Sequence, residues 1–340
     1  MEVHPDVEAL IAAARASGGV PFERMDPCDA RDAYAARREA LQRPAETVGS
    51  CRDLAVPGPA GPVPLRSYRP LGAATDEVLP CLVYMHGGGW MLGGLDSHDA
   101  LCRRLANQAG CAVFAVDYRL APEHPFPAAL DDCVAAYAAI VAQAPSLRID
   151  PACIAVGGDS AGGNLAAVLA LMGRDGTLPP PVCQLLLYPA VDLGLDLAGY
   201  GVDTPGMVIT GATMVYFRDN YVPVVADRAG WRASPLRAAS LAGVSPAFVL
   251  TCGHDPLLAE GRAYAARMAG SGVRVTHLDL SDQTHGMLTM TRVIGIAAAI
   301  QDLVAAALHD GLRERTGLHK RTSLRENQAP PSTEVAPHAA

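Results

Sequence analysis

The chain has 340 residues, half of them hydrophobic and 18% charged, which excludes a disordered polymer and is enough to bury a large core. Its formal charge of −8 argues against nucleic acid or an anionic membrane surface as a partner. Nine cysteines occur singly with no Cys-x-x-Cys pair, the N-terminus shows no basic or apolar leader, and no long apolar run suggests a membrane span, so a cytoplasmic chain is expected.

Residues 6–17 are expected to form a helix, with Val7, Leu10, Ile11 and Ala14 on one face and Gly18-Gly19 ending it. A second helical stretch, residues 29–41, carries Tyr34 and Leu41. Two strand-like runs, 51–56 and 63–68, joined through a Pro/Gly-rich turn, read as a hairpin. A different rhythm then begins. Short apolar runs at 81–85, 111–116, 153–156, 184–188, 248–252 and 273–278 alternate with helical stretches at 99–109, 128–142, 164–172 and 260–269. Buried strands separated by helices imply βαβ units, hence an α/β fold with a mostly parallel sheet and helices on both faces. A last helix is expected at 296–308. Residues 190–245 show no clear strand, and an insertion of this length on such a sheet covers the mouth of a site. Residues 311–340 are polar and read as a disordered tail.

The centre of this pattern is Gly158-Asp159-Ser160-Ala161-Gly162-Gly163-Asn164, between the run 153–156 and the helix after it. Gly-x-Ser-x-Gly at a strand-to-helix turn is the pattern of a nucleophile elbow, where a strained serine faces the amides and positive dipole end of the following helix. A Gly-rich turn with an ordinary serine, or a phosphate loop, would share the motif. His86-Gly87-Gly88-Gly89-Trp90, after the strand 81–85, can converge consecutive amides on one oxygen, as an oxyanion site requires; a flexible turn is the alternative.

A serine nucleophile needs a base, and the base needs a carboxylate. Beyond the elbow, His254 and His285 fall in loops past strand ends, and Asp255 follows the run 248–252. The chain order Ser, Asp, His and placement at strand carboxyl ends select Asp255 and His285, the latter through a polar loop at 281–284.

Together with Asp117-Tyr118-Arg119-Leu120-Ala121-Pro122-Glu123-His124-Pro125-Phe126-Pro127-Ala128, Asp255-Pro256-Leu257 and His285-Gly286, these motifs resemble the bacterial hormone-sensitive-lipase-like carboxylesterases over residues 48–308. The resemblance implies an α/β-hydrolase fold, a catalytic Ser160, Asp255 and His285, and oxyanion donors from the amides of Gly88, Gly89 and Ala161. It also implies a cap made of residues 1–47 and 190–245 over a core made of 48–189 and 246–310. Trp90, Asp159 and Tyr188 are expected to border the substrate, with core packing the competing reading for the last two. The stretch 117–128 is expected to support the glycine loop rather than to react. Two positions depart from relatives: Leu258-Ala259 stands where Arg-Asp is usual, and Met287 where many carry an aromatic residue.

The expected activity is hydrolysis of short-to-medium acyl esters through an acyl-enzyme, with no metal or organic cofactor, a small-molecule ester as partner, and a homodimer. An amidase or lactonase would use the same triad. A receptor of the same fold, like the plant gibberellin receptors, would have lost the catalytic histidine, which is present here.

Overall fold

The structure, a computed structural model, describes residues 2–200 and 207–326. In chain order the elements are α1 (Pro5–Ala16), α2 (Pro27–Leu41), β1 (Ser50–Gly58), β2 (Gly61–Arg69), β3 (Leu79–Met85), α3 (Asp99–Ala109), β4 (Ala112–Val116), α4 (Ala128–Ala142), α5 (Ala144–Leu147), β5 (Ile149–Asp159), α6 (Ala161–Arg174), β6 (Gln184–Leu187), α7 (Gly211–Tyr221), β7 (Ala247–His254), α8 (Leu258–Gly270), β8 (Val275–Thr284) and α9 (Ala297–Glu326). The eight strands form one sheet in the order β1-β2-β4-β3-β5-β6-β7-β8. Every pairing from β4 through β8 is parallel, and β2 alone runs against its neighbours.

Buried on both faces, the central strands need apolar side chains pointing both ways. In β3, Cys81, Val83 and Met85 enter the layer containing α4, α6 and α8, while Leu82 and Tyr84 enter the layer containing α1, α3 and α9. Each fully buried Leu or Val contributes about 1.5–3 kcal/mol over an exposed one, so this two-sided burial anchors the sheet centre. The helix after the elbow shows the same logic: every residue of α6 from Ala161 to Gly173 is buried. Cys81, Cys111, Cys153 and Cys252 are buried and in no disulfide, which suits their apolar settings.

Two elements are longer than the sequence implies. Residues 281–284, expected as a loop, complete β8, and Thr284 still pairs with His254 of β7. Their polarity misleads: Ser281 is exposed on the edge strand, but Gln283 and Thr284 are polar and buried all the same. The last helix does not stop at Leu308 but continues to Glu326, so the expected tail boundary at 310/311 falls inside α9. Leu312 is buried there, and the stretch up to Glu326 is rich in Arg, Leu, Glu and Lys, good helix formers, with no proline before Pro330. Residues 327–340 of the expected tail lie outside the described residues.

Among the described residues, 190–245 hold no strand; α7 and short 3-10 turns fill the segment. Both of its ends are tied to the elbow helix. The Asn164 side-chain amide donates to Ala190 O and Ala233 O, each at 2.8 Å. From α8, Glu260 Oε1 accepts from the amides of Val191, at 2.5 Å, and Asp192, at 3.2 Å.

Candidate active site

Ser160 stands between β5 and α6 with φ 55° and ψ −117°, a region that side chains rarely occupy. Its backbone is locked from three directions. Ser160 N–H donates to Leu187 O at 2.9 Å, and its carbonyl accepts from Asn164 N–H and Ala190 N–H, each at 3.1 Å. The flanking glycines are required by space. A Cβ on Gly158 would lie 2.4 Å from Met85 O, and one on Gly162 only 1.9 Å from the same oxygen. The elbow therefore rests against the point where β3 turns into the glycine loop.

The side chains selected from the sequence meet at this turn. Ser160 Oγ lies 3.0 Å from His285 Nε2, and His285 Nδ1 lies 2.7 Å from Asp255 Oδ2. With a carboxylate facing Nδ1, that nitrogen carries the proton and Nε2 is left to accept from the serine hydroxyl. The other Asp255 oxygen, Oδ1, accepts from Leu257 N–H at 2.8 Å, which fixes the carboxylate in its turn. All three residues are buried or nearly so: Ser160 is 7% exposed, His285 5% and Asp255 1%. His254, the competing histidine, ends β7 and makes no bond to the serine; its carbonyl accepts from Thr284 Oγ1 at 3.3 Å.

The glycine loop is held beside the elbow. Gly87 N–H donates to Asp159 Oδ1 at 2.9 Å, and Gly88 and Gly89 follow with φ of 126° and 61°. A Cβ on Gly89 would meet the Phe217 ring of α7 at 2.3 Å, so the insertion covers this loop directly. Before it, the His86 ring stacks on Tyr118 at 4.3 Å between centroids, and Tyr118 donates to His86 O at 2.7 Å. Burial, with a smaller contribution from His98, pushes the His86 imidazole down to about 4, so the ring is neutral near pH 7.

The stretch 117–128 braces the loop, as its composition suggests. Arg119 forms two bonds of 2.8 Å with buried Asp132, and Ala121 N–H donates to Trp90 O at 2.9 Å. Arg31 of α2 reaches the same place, donating to Met91 O and Ala121 O at 2.8 Å each and pairing with Glu123 at 2.6 Å. This staple joins residues 60 to 92 positions apart and leaves no local mark in the sequence.

None of the three side chains expected to border the substrate presents an open surface. Trp90 is fully buried, stacked on Tyr221 of α7 with centroids 4.5 Å apart. Asp159 is directed into a hydrogen-bonded cluster with Tyr84, Gly87 and His98. Tyr188 packs its ring against the His285 imidazole at 4.8 Å. A large aromatic or an acid next to an active motif serves packing as readily as binding, and all three make packing or hydrogen-bond contacts here. His98, read from sequence only as a helix start, belongs to the cluster behind the site.

An elbow serine, an adjoining glycine loop and an Asp–His line on a parallel sheet define a serine hydrolase. The family described as alpha/beta hydrolase fold matches residues 82–289. The carboxylic ester hydrolase LipN of Mycobacterium tuberculosis is 42% identical over 261 residues, which is 75% of this chain and 69% of that protein. An ethyl acetate hydrolase of Pseudomonas putida is 35% identical over 318 residues, 92% of this chain and all of that one. Among solved structures, an ester hydrolase from the metagenome of Lake Arreo, bound to a bipyridine phosphonate derivative, superposes with a TM-score of 0.86 at 39% identity, covering 91% of this chain and 98% of that one. The chain belongs to the hormone-sensitive-lipase-like carboxylesterases of the α/β-hydrolase fold, and it is a serine carboxylesterase.

Proposed function

We propose that Ser160, His285 and Asp255 perform the hydrolysis of small carboxylic esters through an acyl-enzyme. Ser160 Oγ attacks the ester carbonyl while His285 Nε2 takes its proton. The tetrahedral intermediate's oxygen is met by the amides of Gly88, Gly89 and Ala161. His285 then returns the proton to the leaving alcohol, and a water deprotonated by the same imidazole releases the acid and restores the serine. Asp255 holds the tautomer and stabilises the imidazolium that forms at each step. The observation that carries this reading is the continuous line from Ser160 Oγ through His285 to Asp255, with spacings of 3.0 and 2.7 Å.

We further propose that residues 1–47 and 190–245 act together as a cap. Their mutual contacts support this: Thr213 Oγ1 of α7 donates to Glu23 at 2.8 Å, Tyr216 donates to Met25 O at 3.2 Å, and Phe22 packs on Phe217 with centroids 6.4 Å apart. The aromatic roof over Gly89 favours short-to-medium acyl groups. A cytoplasmic location agrees with nine cysteines of which none is in a disulfide. The edge position of β8 leaves a strand able to pair across a homodimer.

The direct test of the residue roles is turnover of a p-nitrophenyl ester by Ser160→Ala and Asp255→Asn. Both fold, and Ser160→Ala loses on the order of 10³-fold or more in kcat. Retention of wild-type kcat by either variant would transfer its role to another residue.

A further inference from the structure

A second imidazole–carboxylate pair lies behind the glycine loop, and the hydrolytic steps above make no use of it. His98 precedes α3, and Asp159 ends β5; they are 1% and 4% exposed. His98 Nε2 straddles the carboxylate, 3.1 Å from Asp159 Oδ2 and 3.0 Å from Oδ1. Oδ1 also accepts from the Tyr84 hydroxyl at 2.7 Å and from Gly87 N–H at 2.9 Å. His98 Nδ1 faces Ser97 Oγ at 2.8 Å, and Ser97 O accepts from Gln42 of the N-terminal segment at 2.9 Å. Burial opposes the Asp159 charge, yet His98 and the Tyr84 bond outweigh it and hold the carboxyl below the usual range, so Asp159 is ionised.

The consequence is geometric. Asp159 is joined covalently to Ser160 and by hydrogen bond to Gly87, so one residue carries both the nucleophile and the anchor of the loop opposite. A Cβ on Gly87 would stand 2.4 Å from Asp159 Oδ2, so loop and carboxylate are in full contact. A carboxylate with a single donor can swing; one gripped by an imidazole, a phenol and an amide cannot, and bonds to an ionised acceptor are about twice as strong as neutral ones. We propose that His98 is a positioning residue: through Asp159 it fixes Gly87, and so aims the amides of Gly88 and Gly89 at the oxygen that becomes charged. This rests on the assignment of Gly88 and Gly89 as oxyanion donors. Its effect falls on the transition state, where the oxygen carries charge, and little on substrate binding.

The test uses full-length His98→Leu and His98→Gln, each measured for kcat and KM on a p-nitrophenyl ester, for the rate of Ser160 labelling by a fluorophosphonate, and for unfolding midpoint. In His98→Leu, kcat falls about 10- to 100-fold, KM stays within about threefold, and labelling slows in parallel with kcat. His98→Gln, whose amide nitrogen can reach Asp159 Oδ2, recovers part of the loss. An unchanged kcat per folded molecule, a change confined to KM, or a glutamine variant no better than leucine overturns the proposal. Should His98→Leu fail to fold, Tyr84→Phe removes one donor from the same carboxylate: a fall in kcat at constant KM supports the proposal, and an unchanged kcat overturns it. Failure of the wild-type protein to hydrolyse esters or to be labelled at Ser160 would instead strike the esterase reading itself, so the two failures are distinguishable.

Discussion

Ser160 occupies a backbone region that costs about 1–3 kcal/mol, and its neighbours repay that cost by having almost no side chains. Gly162→Ala is the sharpest probe of this balance. Its new methyl would sit 1.9 Å from Met85 O, a backbone atom in a central strand that cannot retreat. Little or no soluble, folded protein is expected; a variant with the wild-type unfolding midpoint would mean that elbow and β3 are more loosely packed than described. His86 makes a different prediction at this scale. It is buried, and its folded-state value of about 4 lies below the ordinary 6.5. The unfolded chain therefore binds the extra proton first as pH falls. The corresponding stability is fully present above pH 6.5 and is lost on descending to about 4, by on the order of 3 kcal/mol. Urea unfolding at pH 7 and pH 5 should show a smaller drop in His86→Asn than in the wild type. Equal drops in both would assign the acid sensitivity to other groups.

Among elements, the two N-terminal helices make contacts beyond the cap role proposed for them. His4 N–H donates to Asp282 O at 3.0 Å, and Asp6 accepts from Gly295 N–H at 2.8 Å, so α1 grips the chain on both sides of His285. Val7 and Ile11 are buried in the layer that holds Met290 and Ile294. At the end of α2, Leu41 O accepts from Arg292 N–H at 2.9 Å. Removal of residues 1–44 strips these partners and also the Arg31 staple on Met91 O. The expected outcome is a lower unfolding midpoint, exposed apolar surface with poorer solubility, and a loss of kcat beyond any change in chain-length preference. A soluble truncated protein with wild-type kcat would reduce α1 and α2 to an ornament of the fold. At the other end, α9 is helical to Glu326 and Leu312 is buried against the body. Truncation after Glu326 should therefore leave the unfolding midpoint unchanged, while truncation before Leu312 should lower it. Equal midpoints for both would place the end of the packed helix earlier.

At the scale of the whole molecule, Phe217 stands over Gly89 with Phe22 packed on it, and the cap proposed above would use this contact to limit the reach of the site. A p-nitrophenyl series from acetate to long chains should peak at short-to-medium acyl groups in kcat/KM. A maximum at the longest chains would require the cap to stand open. Much of this architecture is legible in the sequence because burial on both faces of a strand forces continuous apolar runs, and the runs at 81–85 and 248–252 each fall within a strand of the sheet. The elbow is legible for a steric reason, since only glycine fits beside Met85 O. The end of β8 is not legible: Ser281–Thr284 is polar, yet Gln283 and Thr284 are buried and Thr284 still pairs with His254 of β7. Nor are the supports of the site. His98 and Asp159 lie 61 residues apart, and Arg31 and Glu123 lie 92 apart, distances at which no periodicity couples one residue to another. Trp90 and Tyr188 are both buried, Trp90 stacked on Tyr221 and Tyr188 against the His285 imidazole, contacts that no sequence pattern announces.

The most direct measurement is the site of covalent modification by a fluorophosphonate, read by peptide mass spectrometry on the wild-type protein and on Ser160→Ala. The reagent captures whichever hydroxyl a neighbouring base has activated, and the phosphonyl oxygen samples the same oxyanion donors as the reaction. The expected result is a single adduct on Ser160 in the wild type and none in Ser160→Ala. An adduct on another residue, with Ser160→Ala still hydrolysing esters, would contradict the assignment of Ser160, His285 and Asp255 as the catalytic line.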